Sequence, residues 1–293
     1  MLKLDAPVEP STIRAIANNP LTIDVAAFAL KDGGVANVVA GHWQLDNKLV
    51  ISGASTALAV SNDANVVDEQ GKTIAAPLKA KSLELTNGGA ATVKQTGTLD
   101  AVNIKVGTGS TVTIAGDMSI SGTYDASQND AFDKYGIEIT SGDAIVLKPG
   151  ANLTLKGAGV KKALGVQKDT DSGKITSFMV NSDAFAAAGA LQSEAGSTLN
   201  VAVFDKDAVL AKSALAALSA GLLGQNHGAD LSGAISLGDV QLDALKPQDG
   251  QVKWSETKQL GVKYLSDTTH EQARWVPSTS LASKRTPSED GFG

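Results

Sequence analysis

The sequence predicts a mainly β protein, β-solenoid-like or built of stacked hairpins or a sandwich, with a few helices and one strong helix near residues 207–223. Three observations lead there. Aliphatic residues alternate with Thr, Ser and Asn over long stretches, which is the period of a strand with one buried face. Turn residues recur at short intervals, with 30 glycines in 293 residues. Aromatic residues make up only 4% of a chain that is 42% hydrophobic, so the core has to be assembled in thin layers from Ala, Val, Leu and Ile.

The chain divides into four segments. Residues 1–80 read as a β-rich segment with a short leading helix, Ser11 to Asn19, capped by Ser11 or Thr12 and stopped by Pro20. Strands are expected at Leu21 to Phe28, Val35 to Val39, Trp43 to Leu45, Lys48 to Ile51 and Thr56 to Val60. Asp46-Asn47 tolerates positive φ and suits a two-residue hairpin loop, which makes this segment an antiparallel ribbon.

Residues 81–204 are a Gly/Thr-rich β-repeat domain. Val102, Ile104 and Val106 alternate so that three apolar side chains point one way, and Val112-Thr-Ile114 and Met118-Ser-Ile120 continue the style. Gly107-Thr-Gly-Ser-Thr111 has strands on both sides and lacks the following helix that a phosphate cradle needs. A short helix is expected within an insertion at 125–135, and a second over Asp183 to Leu191. Gly109-Ser-Thr-Val-Thr-Ile114, Gly150-Ala-Asn-Leu-Thr-Leu155 and Gly196-Ser-Thr-Leu-Asn-Val201 echo one another. Each has a turn glycine and two aliphatics expected to face inward.

These units resemble the rungs of parallel β-helix proteins such as autotransporter passengers and phage fibres or spikes. The resemblance covers about 120 residues. It implies a stacked β architecture and a structural or adhesive role.

Residues 205–276 are expected to form the helix Asp207 to Leu223, with Leu218 and Leu222 on its apolar face, then short strands at 234–237, 240–242, 252–254 and 260–265. Lys212 lies inside the helix, which makes it a packing element, not a membrane span. Residues 277–293 form an extended C-terminal arm whose large apolar residues are Leu281 and Phe292. It is too polar to fold alone and is expected to dock on a neighbouring chain.

Charge and chemistry narrow the function. The net charge is −6, and the longest basic runs, Lys161-Lys162 and Lys284-Arg285, are too short for nucleic acid. There is no cysteine, hence no thiolate site or disulfide. No stretch reaches the ~18 apolar residues of a membrane span. The N-terminus shows no basic segment followed by an apolar one, so the expectation is a protein made and left in the cytoplasm or exported by a route that reads another signal. His42, His227 and His270 lie apart, without metal-ligand spacing.

Asp169 and Asp171 begin like a calcium loop, but the fifth position is Gly173 and the twelfth Val180, so Asp171 to Lys174 reads as a hairpin turn. Asp130, Asp133 and Glu138 are the carboxylates a glycosidase would need, although the repeat region has no Trp to bind sugar. No catalytic, cofactor or metal residue is assigned. The expected function is that of a non-enzymatic structural protein, a bacteriophage virion component such as a capsid decoration, head fibre or tail protein. It would be assembled in the host cytoplasm, pairing with itself and with other virion proteins. The alternative is a secreted or cell-surface adhesin or matrix protein, and third comes a carbohydrate-active β-helix enzyme, with carbohydrate as ligand.

Overall fold

The computed structural model describes residues 27–38, 43–62, 78–142, 144–185, 190–194 and 196–205, with short pieces at 2–4, 11–13, 21–23, 208–211, 214, 217–218, 222, 234–237, 241–242, 261–265 and 274–277. The strands in chain order are β1 (Leu2–Leu4), β2 (Ser11–Ile13), β3 (Leu21–Ile23), β4 (Ala27–Lys31), β5 (Val35–Val38), β6 (Trp43–Ser52), β7 (Ala57–Val60), β8 (Leu78–Thr86), β9 (Ala90–Val93), β10 (Thr98–Val106), β11 (Thr111–Ile114) and β12 (Asp117–Ile120). After helix α1 (Ala131–Tyr135) come β13 (Ile137–Ile139), β14 (Ile145–Leu147) and β15 (Asn152–Lys156). After helix α2 (Gly157–Ala163) come β16 (Val166–Lys168), β17 (Ile175–Phe178), β18 (Leu191–Ser193), β19 (Thr198–Ala202), β20 (Val209–Leu210), β21 (Ala234–Ser236), β22 (Gln241–Leu242), β23 (Gly261–Leu265) and β24 (Arg274–Pro277).

The protein is mainly β, and its two large sheets are built from parallel pairs. One sheet runs β1-β4-β6-β8-β10-β12-β15-β19-β21-β23-β24, the other β2-β5-β7-β9-β11-β14-β18. From β4 to β12 the chain visits the two sheets in turn, so each strand lies beside the one two elements earlier. Leu78 sits beside Leu99 and Leu99 beside Met118, offsets of 21 and 19 residues. Among the described residues of the larger sheet, the last pairs, β21 with β23 and β23 with β24, are antiparallel and the rest parallel.

Parallel register places like on like, and this is what the aliphatic alternation achieves. Leu49, Leu83, Ile104 and Ile137 form one buried row, and Leu78, Leu99, Met118, Leu153 and Leu199 another. In the second sheet Leu58, Ala91, Val112, Ile145 and Leu191 form a third. Burial of each Leu, Ile, Val or Met in these rows contributes about 1.5–3 kcal/mol. The six residues expected to face inward, Val112, Ile114, Leu153, Leu155, Leu199 and Val201, are all buried.

The long strands of the larger sheet bend in the middle, and the alternation changes phase there. In β10, Leu99 and Ala101 face in, then Ile104 and Val106, with Val102 and Asn103 between. Val102 is therefore 37% exposed, and it does not share a face with Ile104 and Val106 as the alternation predicted. In β8 the same bend leaves Ser82 and Leu83 buried in succession.

Several expectations are corrected. Trp43 to Ser52 is one continuous strand, parallel to both β4 and β8, so residues 21–60 are not an antiparallel ribbon. Asp46-Asn47 makes no hairpin; its extra length appears as a register shift against β8 between Leu45 and Lys48, a bulge. Ser11–Ile13 is a strand beside β5, so no helix begins at Ser11, and 14–20 lie outside the described residues. Asp183-Ala184 forms a turn capped by the Asn181 side chain, and Leu191 opens a strand; the expected helix is therefore not formed at either end. Phe185 instead bridges to Ile139 as a core residue.

Val209–Leu210 is a short strand, so the helix expected from Asp207 starts later. Helical residues are described at Ala214, Ala217, Leu218 and Leu222, and Ala214, Leu218 and Leu222 are buried at a four-residue spacing. Leu218→Asp is accordingly expected to cost about 3–5 kcal/mol, read as a lowered urea midpoint. An unchanged midpoint would place Leu218 at the surface. β24 was not anticipated, and it includes Pro277, where the arm was expected to begin. Residues 252–254 and 278–293 lie outside the described residues.

Candidate functional site

Two excursions leave the larger sheet at its bend, one after the other. After Ile120 the chain departs through α1 and returns as β13, where Ile137 lies beside Ile104. After Lys156 it departs through α2 and the β16–β17 hairpin and returns at Phe185 beside Ile139. The offset between stacked strands records these detours: 35 residues from Asp117 to Asn152 and 46 from Thr154 to Asn200.

The excursions pack on one another. Asn181 Nδ2 donates to the Tyr135 hydroxyl at 3.2 Å, and the Gly159 N–H donates to the Gly122 carbonyl at 3.2 Å. Asn103 at the bend accepts from the Thr123 N–H (3.1 Å) and hydroxyl (2.8 Å). Aromatic residues concentrate here. Tyr124, Phe132, Tyr135, Phe178, Phe185 and Phe204 all lie between 121 and 205, whereas residues 44–120 contain none. Tyr124 stacks on Tyr135 at 6.0 Å, with Lys162 over the Tyr124 ring at 5.5 Å and Lys134 over the Tyr135 ring at 5.6 Å. Tyr124 and Met179 are exposed.

The candidate carboxylates are engaged in holding this structure. Asp130 is the N-cap of α1 and accepts from the Phe132 N–H at 2.9 Å. Asp133 lies in the first turn of that helix, where a negative charge meets the positive end of the helix dipole. Glu138 binds Lys105 at 2.9 Å. Burial works to lower the Lys105 ammonium's pKa, but the bond to Glu138 and the charges of Glu138, Asp130 and Glu84 together hold it above its ordinary value. Lys105 Nζ also lies 5.8 Å from the centre of the Phe132 ring. Glu138 and Asp130 thus both act on the Lys105 ammonium, the first through a bond and the second through its charge, while Asp133 lies in the first turn of α1.

The remaining candidates have equally local roles. Asp169 accepts from the Ser172 N–H (2.8 Å) and hydroxyl (2.7 Å), which hold its carboxyl below the usual range, and the segment is the turn of the antiparallel β16–β17 hairpin, as its spacing predicted. Lys161 and Lys168 both bind Asp205, at 3.2 and 3.5 Å; the Lys161 bond leads in holding that carboxyl low. His42, His227, His270 and Lys284-Arg285 lie outside the described residues. Among the described residues no group of three acidic, His or Cys side chains is placed to hold a metal ion, and no helix is long and apolar enough to cross a membrane. A cavity of about 20 Å³ among Phe28, Trp43, Leu49 and Leu58 is lined only by apolar side chains and supplies no group for chemistry.

The outer faces differ from one another. On the larger sheet, outward polar side chains are paired from strand to strand. Ser119 donates to Asp100 (2.6 Å), Asn152 to Asp117 (2.9 Å), and Lys48 binds Glu84 (2.8 Å). The outward positions of β5, β7, β9, β11 and β14 are instead Val35, Asn37, Ala57, Ala59, Ala90, Thr92, Thr111, Thr113 and Val146, without a charge. Lys148 and Glu194 pair at its rim.

Sequence reasoning noted the helix in the first excursion and missed that the second excursion packs on it, through Asn181 with Tyr135 and Lys162 over Tyr124. The irregular spacing of the echoed units was the available signal. Compared with known proteins, the chain matches no family model, and no curated protein or solved structure is found to be similar to it.

Proposed function

We propose that the chain is a β-solenoid serving as a non-enzymatic structural protein, a virion component that acts through protein–protein contacts with copies of itself and with other virion proteins. The observation that carries the architectural part is strand order. From β1 to β21 in the larger sheet and throughout the second sheet the order follows the chain in parallel register, as expected of a chain winding in successive rungs about 4.8 Å apart. Such a stack needs only its neighbours for stability and suits an extended scaffold. The uncharged face of the second sheet is the surface for self-contact: with a net charge of −6, two copies meet there without opposing like charges. The C-terminal arm adds a second contact on a neighbouring chain.

Deleting one whole rung tests the winding. Removal of residues 78–98 puts Leu99 in the place of Leu78 beside Trp43, and the shortened chain is expected to fold, with a cooperative melt. Removing 78–88 shifts strands between sheets and is expected to abolish folding. Equal damage from both deletions would remove the solenoid reading. For self-contact, Thr113→Lys is expected to weaken association by about tenfold or more in sedimentation equilibrium, since a buried unpaired ammonium costs well over 1.4 kcal/mol. Asn200→Lys on the other sheet serves as the control with no change.

Finding the chain's peptides in density-purified phage particles supports the virion setting. Finding them only at a bacterial surface favours the second reading, an adhesin or matrix protein, which the rung-like pairing fits equally well.

A further inference from the structure

We infer that the Tyr124–Tyr135 stack, with Met179 beside it and the Lys134 and Lys162 ammoniums over its rings, is a docking surface for an acidic segment of a partner protein that carries an apolar anchor. The inference rests on the reading of the chain as one that acts through protein–protein contacts, and not on its virion setting. Among the described residues the large apolar side chains left exposed are Val102, Tyr124 and Met179. They are not scattered. The Gly122 N–H, two residues before Tyr124, donates to the Val102 carbonyl at 2.7 Å, and the Met179 N–H donates to the Gly165 carbonyl at 3.0 Å. Gly165 in turn donates to the carbonyl of Lys162, whose ammonium lies over Tyr124. Two residues after Met179, Asn181 donates to the Tyr135 hydroxyl. Exposed apolar side chains gathered in this way, where the two excursions meet, mark an interaction surface.

The surface is held in place from behind. Phe178, next to Met179, is buried edge-on to Phe204, and Asn103 holds Thr123 beside Tyr124, so binding orders little that is not already ordered. Charge selects the partner. Lys105 has Glu138, and Lys161 and Lys168 have Asp205, but among the described residues no carboxylate lies within ion-pair distance of the Lys134 or Lys162 ammonium. The acids of the same excursion are committed to internal donors, Asp125 to Ser127 and Gln128, Asp130 to the first N–H groups of α1. Incoming carboxylates can therefore meet both ammoniums without displacing an internal pair, while an apolar neighbour covers Met179 and the exposed part of Tyr124. A stacked sugar would instead compete with the ammonium and the second ring that each tyrosine already holds.

The probe is a random copolymer of glutamate and tyrosine, titrated into the full chain at low salt beside polyglutamate, polygalacturonate and phosphatidylglycerol vesicles. The copolymer is expected to bind, and more tightly than any of the other three. Lys134→Gln with Lys162→Gln should weaken it about threefold or more, as the loss of two exposed ion pairs does, while Lys31→Gln with Lys94→Gln, which removes the same charge from distant turns, leaves it unchanged. Peroxide converts the thioether of Met179, which is 72% exposed, to the sulfoxide, and bound copolymer should slow this about threefold or more. Absence of copolymer binding, equal weakening by the two double variants, or an unprotected Met179 would each overturn the inference. Tighter binding of the vesicles or of polygalacturonate would overturn it in favour of a lipid or a sugar, and self-association lost with Lys134 and Lys162 would do so in favour of a second copy. Contact through the second sheet is read separately with Thr113→Lys, so failure here leaves that reading standing.

Discussion

Ile104→Asp is expected to leave the chain unfolded at room temperature. Ile104 is wholly buried between Leu83 and Ile137, and its backbone N–H donates to the Gly136 carbonyl where the first excursion returns. A carboxylate there lies among aliphatic side chains with no donor to meet it. An unpaired buried charge costs about 3–5 kcal/mol, and the lost isoleucine contacts add to this, against a total stability of about 5–15 kcal/mol for a domain. Ile104→Val keeps the row closed and should cost about 1 kcal/mol. Circular dichroism melts of the two variants separate a packing defect from a charge defect. A wild-type melt for Ile104→Asp would mean that this row is not a core.

The second large effect is expected at Gly157, which begins α2. Its φ of 88° lies in the left-handed region, and a Cβ would fall inside the contact distance of the Ser121 carbonyl oxygen. Gly157→Ala must therefore bear backbone strain and push apart the places where the two excursions leave the sheet. A cost of about 3 kcal/mol or more follows from strain and clash together. Gly173, in the hairpin turn, has a comparable φ of 67° but open space around it, so Gly173→Ala bears the strain alone, about 1–2 kcal/mol. Urea unfolding of both variants gives the difference, and equal midpoints would show that the Ser121 contact has room to yield.

The β character and the inward faces were legible because alternation acts locally: a strand with one buried face writes its period into its own residues, as at Val112 and Ile114. Partner choice is not local. Asp46-Asn47 carries hairpin chemistry, yet the flanking residues find better company in the parallel rows of Phe28 and Leu83, and the pair is absorbed as a bulge. The echo at Gly109 has the same composition as those at Gly150 and Gly196, but it lies in the other sheet; only the latter two stack, Leu153 on Leu199. A turn-and-strand unit reports its own shape and not the sheet that receives it. Val102 shows the same limit within one strand, because a bend shifts the phase of the pattern without a residue that announces it. The excursion cluster depends on contacts such as Tyr135 with Asn181, 46 residues apart, which no periodicity encodes.

Strand order also decides how the protein bears load. In the larger sheet the neighbours β4, β6, β8, β10, β12, β15 and β19 succeed one another along the chain. Tension between distant residues therefore pulls across the strands, along their hydrogen bonds, and not in shear against the whole ladder at once. Bonds loaded this way part a few at a time from an edge, so the sheet peels strand by strand and spreads the work over a long extension. A force applied between distant residues is therefore expected to lengthen the sheet gradually instead of breaking it in one step.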